Sequence, residues 1–276
     1  MAETIKVAVR VRPLIQRELD AGATIVVAIH NNAVTVDHGP QRRTFGFDHA
    51  YWSVDAKDAG YASQEHVNND IGKPCLENML KGYNFCVFAY GQTGAGKTHT
   101  LSASSSKGDK QMGLIPFVLE GLFTHHRAKF KNDELRIWIS FMEIYNEQIR
   151  DLLNPGRDAP DLKVRDHPEF GAYVPGLTEA PCSEIADVKK LMDFGTKKRV
   201  TAATNMNAGS SRSHAVFTIR AQRLTGTKPA GNKKDDRKSL SSRVNLVDLA
   251  GSALRRVEPT DFDSGKAVPS ISLSLP

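Results

Sequence analysis

A glycine-rich loop between an apolar run and a predicted helix is the feature that most limits what this chain can fold into. The apolar run 85–89 leads into GQTGAGKT at 91–98, which fits the pattern G-x-x-x-x-G-K-T. Glycines let successive backbone N–H groups turn toward one anion, and the helix that follows adds its positive end. The strand–loop–helix order therefore predicts a phosphate-binding loop made of Gly91, Gln92, Thr93, Gly94, Ala95, Gly96, Lys97 and Thr98.

The last two residues of this loop have predicted chemical roles. Lys97 can reach the β and γ phosphates as a point charge, and the Thr98 hydroxyl is placed to bind Mg²⁺. The loop thus predicts ATP and Mg²⁺ as cofactors. The alternative is a flexible Gly/Thr loop, which the preceding apolar run disfavours.

The segments before the loop alternate between predicted strands and one helix. Strands are predicted at 5–11, 24–36 and 44–47, and a helix at 63–79, where apolar residues recur every four positions. The order β, α, β, loop, α is typical of an α/β nucleotide-binding domain.

The elements after the loop follow the same kind of pattern. Apolar spacing predicts helices at 115–123, 146–153 and from Ser183 to about Ala203, a strand at 135–145, a protruding hairpin at 161–174, and polar loops at 103–111 and 225–242.

Two later segments carry polar groups that suit a phosphate site. The run NAGSSRSH at 207–214 precedes a predicted strand at 215–221; alone it reads as a turn, but beside a phosphate loop it offers a second hydroxyl for Mg²⁺. In the segment 243–251 a predicted buried strand ends at Asp248, and Gly251 completes a D-x-x-G pattern. A helix N-cap is the alternative role for Asp248.

Composition excludes several other classes of protein. The chain has 276 residues, 40% hydrophobic and 25% charged, with no long apolar segment and with Arg10 and Arg12 where a signal peptide would be apolar. We therefore expect a cytosolic protein, with neither membrane insertion nor nucleic-acid binding. The three cysteines lack C-x-x-C spacing and are expected to be free thiols, and the net charge of +6 weakly favours an acidic partner.

The three motifs together resemble those of one family. GQTGAGKT at 91–98, NAGSSRSH at 207–214 and DLAGS at 248–252 are similar to the phosphate loop, switch I and switch II of kinesin motor domains. The likeness runs over 5–252, and segments such as VRDHP at 164–168 are similar to the vesicle-transporting class-three kinesins.

This resemblance implies a fold and a domain assignment. The fold is an α/β P-loop NTPase of kinesin type, with a mixed central β-sheet flanked by helices on both faces. Residues 3–276 would form one motor domain, with 253–276 as a divergent tail.

The resemblance also implies the site residues. Arg10, Pro13 and His99 match positions around the adenine; Thr98 and Ser211 match the two Mg²⁺ hydroxyls, and Asp248 matches the carboxylate just outside that metal's ligands. Ser210, Arg212 and the Gly251 N–H match groups that close around the γ phosphate, and with Lys97 they form the implied catalytic set.

The chain departs from the family pattern at two places. Switch II of the family reads DLAGSE, but position 253 is Ala, so Arg212 lacks its carboxylate partner and Glu258 lies too far along. After Ala253 the sequence does not resemble the family's relay helix, main microtubule-binding elements, closing strand or neck linker. We therefore expect a fold that is incomplete at the C-terminus.

These departures shape the expected function. The chain is expected to be a kinesin-like, microtubule-associated motor ATPase of the cytoplasm and cytoskeleton, impaired in hydrolysis. Its microtubule binding would be weak, through the 162–174 hairpin with Lys163 and Arg165. The alternatives are a non-catalytic nucleotide-dependent binding module, or an incomplete gene product without autonomous motor activity.

Overall fold

A computed structural model describes residues 5–38, 40–103, 111–130, 133–156, 162–168, 171–205, 210–226 and 237–252. In chain order the elements are β1 Ala8–Val11, α1 Gln16–Asp20, β2 Val27–His30, β3 Ala33–His38, β4 Gln41–Gly46, β5 His49–Trp52, α2 Gln64–Val67, a π-helical turn Asn68–Gly72, α3 Lys73–Leu80, β6 Phe85–Ala89, α4 Lys97–Ser102, α5 Leu114–Lys129, β7 Glu134–Tyr145, β8 Gln148–Asp151, β9 Arg165–His167, β10 Gly171–Tyr173, β11 Ala180–Cys182, α6 Ile185–Asn205, a 3₁₀ turn Ser210–Arg212, β12 His214–Thr225 and β13 Lys238–Asp248.

The central sheet is mixed and has the strand order β11-β7-β12-β13-β6, with β8 also paired to β7. Its strands pair antiparallel except for β13 and β6, which run parallel from Val244 beside Phe85 to Asp248 beside Ala89. Parallel strands end at the same edge of a sheet. This register therefore delivers Asp248 to the start of the phosphate loop.

The hydrophobic core lies between one face of this sheet and the described helices. Ile139, Phe217, Ile219 and Leu246 are almost completely buried there, because β-strand alternation sends every second side chain to the same face. Helices α3, α5 and α6 contribute their apolar sides to the same cluster. The predicted mixed sheet with flanking helices is thus confirmed.

The N-terminal part forms two smaller sheets. Strands β1 and β5 pair in parallel, and β2, β3 and β4 form a three-stranded antiparallel sheet. The predicted single strand at 24–36 is wrong, because the chain reverses at Asn31 and Asn32, whose φ angles are 46° and 61°. Asparagine tolerates this left-handed conformation better than most residues, so β2 and β3 form a hairpin.

The predicted helix at 146–153 is also wrong. Asn146 and Glu147 have φ angles of 49° and 60°, which make a tight turn that sends β8 back along β7. The predicted loop at 225–242 is shorter than expected, since β13 begins at Lys238. Strands β9 and β10 confirm the 161–174 hairpin, while most of the predicted loop at 103–111 lies outside the described residues.

Candidate functional site

The phosphate loop connects β6 to α4 and carries the backbone geometry that its glycines predict. Gly94 and Gly96 have φ angles of 80° and 93°, a conformation that side chains disfavour. The Lys97 ammonium donates to the carbonyl oxygens of Gly91 at 2.8 Å and Gln92 at 3.1 Å. The lysine thus folds back over its own loop.

A short hydrogen bond joins this loop to the end of β13. The Thr98 hydroxyl donates to Asp248 Oδ2 at 2.5 Å, across 150 positions of sequence. Asp248 is buried, and Nη1 of Arg199 lies 3.9 Å from the same carboxylate oxygen. The first and third motifs therefore meet at this hydrogen bond.

Gly251 fits against the phosphate loop because it has no side chain. A Cβ at this position would lie 2.2 Å from Thr93 Oγ1 and 2.9 Å from the Thr93 backbone nitrogen. The Gly251 N–H donates to the Ser211 carbonyl at 2.7 Å, and the Ser252 N–H donates to the Gly91 carbonyl at 3.1 Å. All three motifs are thus tied together by backbone contacts.

The remaining switch I residues lie on the 3₁₀ turn Ser210–Arg212. Ser211 is partly buried and Arg212 is exposed, and no carboxylate of the described residues forms a salt bridge with Arg212. Ala253, the position expected to leave Arg212 without its partner, lies outside the described residues, as do 206–209.

Of the three residues expected around the adenine, Arg10 and His99 lie close enough for their charges to interact. Arg10 donates to Ser53, Gln64 and Thr100 at 3.0, 2.5 and 3.1 Å, and its burial lowers its pKa. Burial, and then the charge of Arg10, lowers the pKa of His99. Pro13 is exposed, three residues along from Arg10. Arg10 is therefore partly buried and held by three other side chains.

A buried ionic network behind the switches was missed by sequence reasoning. Glu143, whose side chain is 5% exposed, accepts a hydrogen bond from Ser213 at 2.6 Å and pairs with Arg199 at 3.3 Å and Arg150 at 3.7 Å. Arg199 also donates to the Ser213 carbonyl at 3.2 Å. The one sign of this network in the sequence was a glutamate, Glu143, inside the apolar strand 135–145.

Arg12 also contacts the site, although the sequence did not assign it there. Its Nε donates to the Gly94 carbonyl at 2.7 Å, and its two terminal nitrogens bind Glu18 at 2.8 and 2.7 Å. Arg12 is therefore in direct contact with the phosphate loop.

The donor set suits Mg²⁺ held with a nucleotide. Two hydroxyls, those of Thr98 and Ser211, and the Asp248 carboxylate offer hard oxygen atoms, and Mg²⁺ is usually held by few protein ligands plus phosphate. No group of three or more His, Cys, Asp or Glu residues in the described chain could hold a metal without such help. Nor does any described helix have the length and apolarity to cross a membrane.

Comparison with known proteins places these features in a family. The family model described as kinesin motor domain matches residues 10–275. The kinesin-like protein unc-104 of Caenorhabditis elegans is 42% identical over 255 residues, covering 90% of this chain and 16% of the relative. Rat KIF1A is 41% identical over 255 residues, covering 90% and 14%. Human StAR-related lipid transfer protein 9 is 40% identical over 274 residues, covering 93% and 6%.

Solved structures show the same likeness. A fast kinesin superposes with a TM-score of 0.79 at 35% identity, covering 92% of this chain and 68% of the other. A KIF14 segment with ADP, in complex with a microtubule, superposes with a TM-score of 0.76 at 40% identity, covering 91% and 70%. By contrast, this chain spans between 6% and 16% of the length of the three sequence relatives.

Proposed function

Because this chain belongs to the kinesin motor-domain family, we propose that it binds Mg-ATP and hydrolyses it in a microtubule-stimulated reaction. The observation that carries the proposal is the union of the three motifs at one sheet edge. Thr98 contacts Asp248 at 2.5 Å, and Gly251 donates to Ser211 at 2.7 Å. Residues 3–276 then form one motor domain.

In this proposal the loop 91–98 surrounds the phosphates with backbone N–H groups. Lys97 exchanges its two loop carbonyls for the β and γ phosphates, a stronger charge-assisted contact. Thr98 and Ser211 hold Mg²⁺, which neutralises phosphate charge, and Asp248 orients the Thr98 hydroxyl. Arg10, Pro13 and His99 border the adenine.

The chemistry asks for positioning and charge stabilisation, because phosphoryl transfer has a loose transition state. Ser210, Arg212 and the Gly251 N–H close around the γ phosphate and order the attacking water. For this the Gly251 N–H must release the Ser211 carbonyl. Nucleotide binding therefore replaces the hydrogen bond between these two residues. Ala253 in place of glutamate slows this step.

Microtubules are the proposed partner. The KIF14 segments that superpose on this chain are in complex with a microtubule. The β9–β10 hairpin exposes Arg165 at its open end, and Lys163 is exposed just before it, so this basic segment suits an acidic filament surface. We propose weak and salt-sensitive binding, and hence a cytoplasmic, microtubule-associated location.

Calorimetric titration with Mg-ATP tests the nucleotide site. The wild-type chain should bind, and Lys97→Ala should weaken binding at least several-fold, because one charge-assisted contact to phosphate is lost. Lys190→Ala, on the exposed side of α6, is the matched control and should bind as the wild type does. A well-folded wild type that binds no ATP would remove the proposal.

A further inference from the structure

The Arg12 side chain connects three parts of the chain that are separate in sequence. It extends from the start of the segment after β1 and donates from Nε to the carbonyl of Gly94, 82 residues away, at 2.7 Å. Its Nη1 also donates to the Pro13 carbonyl at 2.6 Å. A guanidinium is planar, so these bonds leave it little freedom to turn.

Glu18 holds this guanidinium from the other side. Its two carboxylate oxygens accept from Nη1 at 2.8 Å and Nη2 at 2.7 Å, a fork-to-fork pair. Glu18 also accepts from the Ile15 N–H at 3.0 Å, which fixes it in the first turn of α1. The bond from Arg12 lowers the pKa of Glu18 to about 2, so the carboxylate is ionised at neutral pH.

Arg12 binds the carbonyl of a glycine in the phosphate loop. Gly94 has a φ angle of 80°, and glycine rotates more freely than any other residue. The next N–H in the chain, that of Ala95, donates to the Gln92 carbonyl at 3.1 Å. Because the peptide unit is planar, a bond to the Gly94 oxygen and a bond from the Ala95 nitrogen fix the same plane.

We propose that Arg12, locked by Glu18, is a positioning residue that holds the turn Gln92–Ala95 of the phosphate loop in its phosphate-binding form. This inference rests on the proposed nucleotide binding at that loop. Arg12 acts through Gly94 and not as a free charge on the phosphates, because Glu18 neutralises it. The pair removes freedom from the loop before the ligand arrives, and such preorganisation raises affinity.

Release of a fluorescent ADP analogue, followed by stopped-flow, tests the pair. Binding by the wild type tests the proposed function itself, so the two ideas fail separately. Arg12→Ala should release the nucleotide about tenfold faster, the size expected when one charge-assisted hydrogen bond is lost. Glu18→Gln should have a smaller effect, and the double variant should match Arg12→Ala. Arg17→Ala, on the exposed part of the same helix, is the control.

Pyrophosphate competition separates positioning from general destabilisation. Pyrophosphate has no base or ribose, so Arg12→Ala should weaken its competition by the same factor as it weakens ADP binding. Arg12→Lys, whose single ammonium cannot serve both Gly94 and Glu18 in the planar fork, should be intermediate and covers the case that the alanine variant does not fold.

Three results would overturn the inference. They are release by a folded Arg12→Ala or Arg12→Lys variant at the wild-type rate, fully additive effects of the Arg12→Ala and Glu18→Gln changes, and unchanged pyrophosphate competition.

Discussion

Replacing Gly251 with alanine should break the contact between switch II and the phosphate loop. The added Cβ would lie 2.2 Å from Thr93 Oγ1 and 2.9 Å from the Thr93 backbone nitrogen. The hydroxyl can rotate away, but the backbone nitrogen cannot. One of the two segments must therefore move, and the Gly251–Ser211 hydrogen bond at 2.7 Å moves with it.

The size of the effect follows from two contributions. Forcing an extra carbon into a packed contact costs about 1–3 kcal/mol. Lengthening or losing the hydrogen bond to Ser211 adds about 1 kcal/mol. We therefore expect Gly251→Ala to lower the free energy of unfolding by about 2–4 kcal/mol.

Urea denaturation followed by circular dichroism measures this change. Adding Thr93→Ala should recover part of the loss, since it removes the hydroxyl but leaves the nitrogen at 2.9 Å. Gly46→Ala is the matched control, because a Cβ there meets nothing within 4 Å and its φ is ordinary. If Gly251→Ala unfolds at the same urea concentration as Gly46→Ala, the close contact is not as described.

Three further predictions concern the catalytic step, the buried network and pH. Ala253→Glu should raise single-turnover ATP hydrolysis on the order of a hundredfold and change ATP affinity little, and an unchanged rate in a folded variant would contradict the assigned lesion. Arg199→Leu should lower the free energy of unfolding measured in urea by about 3–5 kcal/mol, because it leaves Glu143 buried without its main partner. The double variant Arg199→Leu/Glu143→Gln should recover part of this loss. A double variant that is as unstable as Arg199→Leu alone would contradict the network. The folded pKa of Glu18 is depressed from 4.5 to about 2, so its contribution to stability is present above pH 4.5 and is lost as the pH falls toward 2. The unfolding midpoint of Glu18→Gln should vary less with pH over that window than that of the wild type, and identical slopes would refute the assignment.

Local patterns in the sequence were enough to predict the main elements. Alternating apolar residues predict β7, and four-residue spacing predicts the helical segment from α2 to α3, because one face of each must be buried. Two wrong predictions, the single strand at 24–36 and the helix at 146–153, came from short turns at Asn31–Asn32 and Asn146–Glu147. A positive φ at two adjacent residues is a weak signal in a single sequence, so the chain reversals were not seen.

The sequence by itself was enough to predict a phosphate loop and two switch motifs, because the roles expected of Gly94, Gly96, Lys97 and Gly251 depend on residue type and short spacing. Only the tertiary structure decided which charged side chains serve them. Arg12 reaches Gly94 across 82 positions and Arg199 reaches Glu143 across 56, at distances of 2.7 and 3.3 Å. Strand order and helix placement set such contacts, and nothing in the spacing of the residues specifies them.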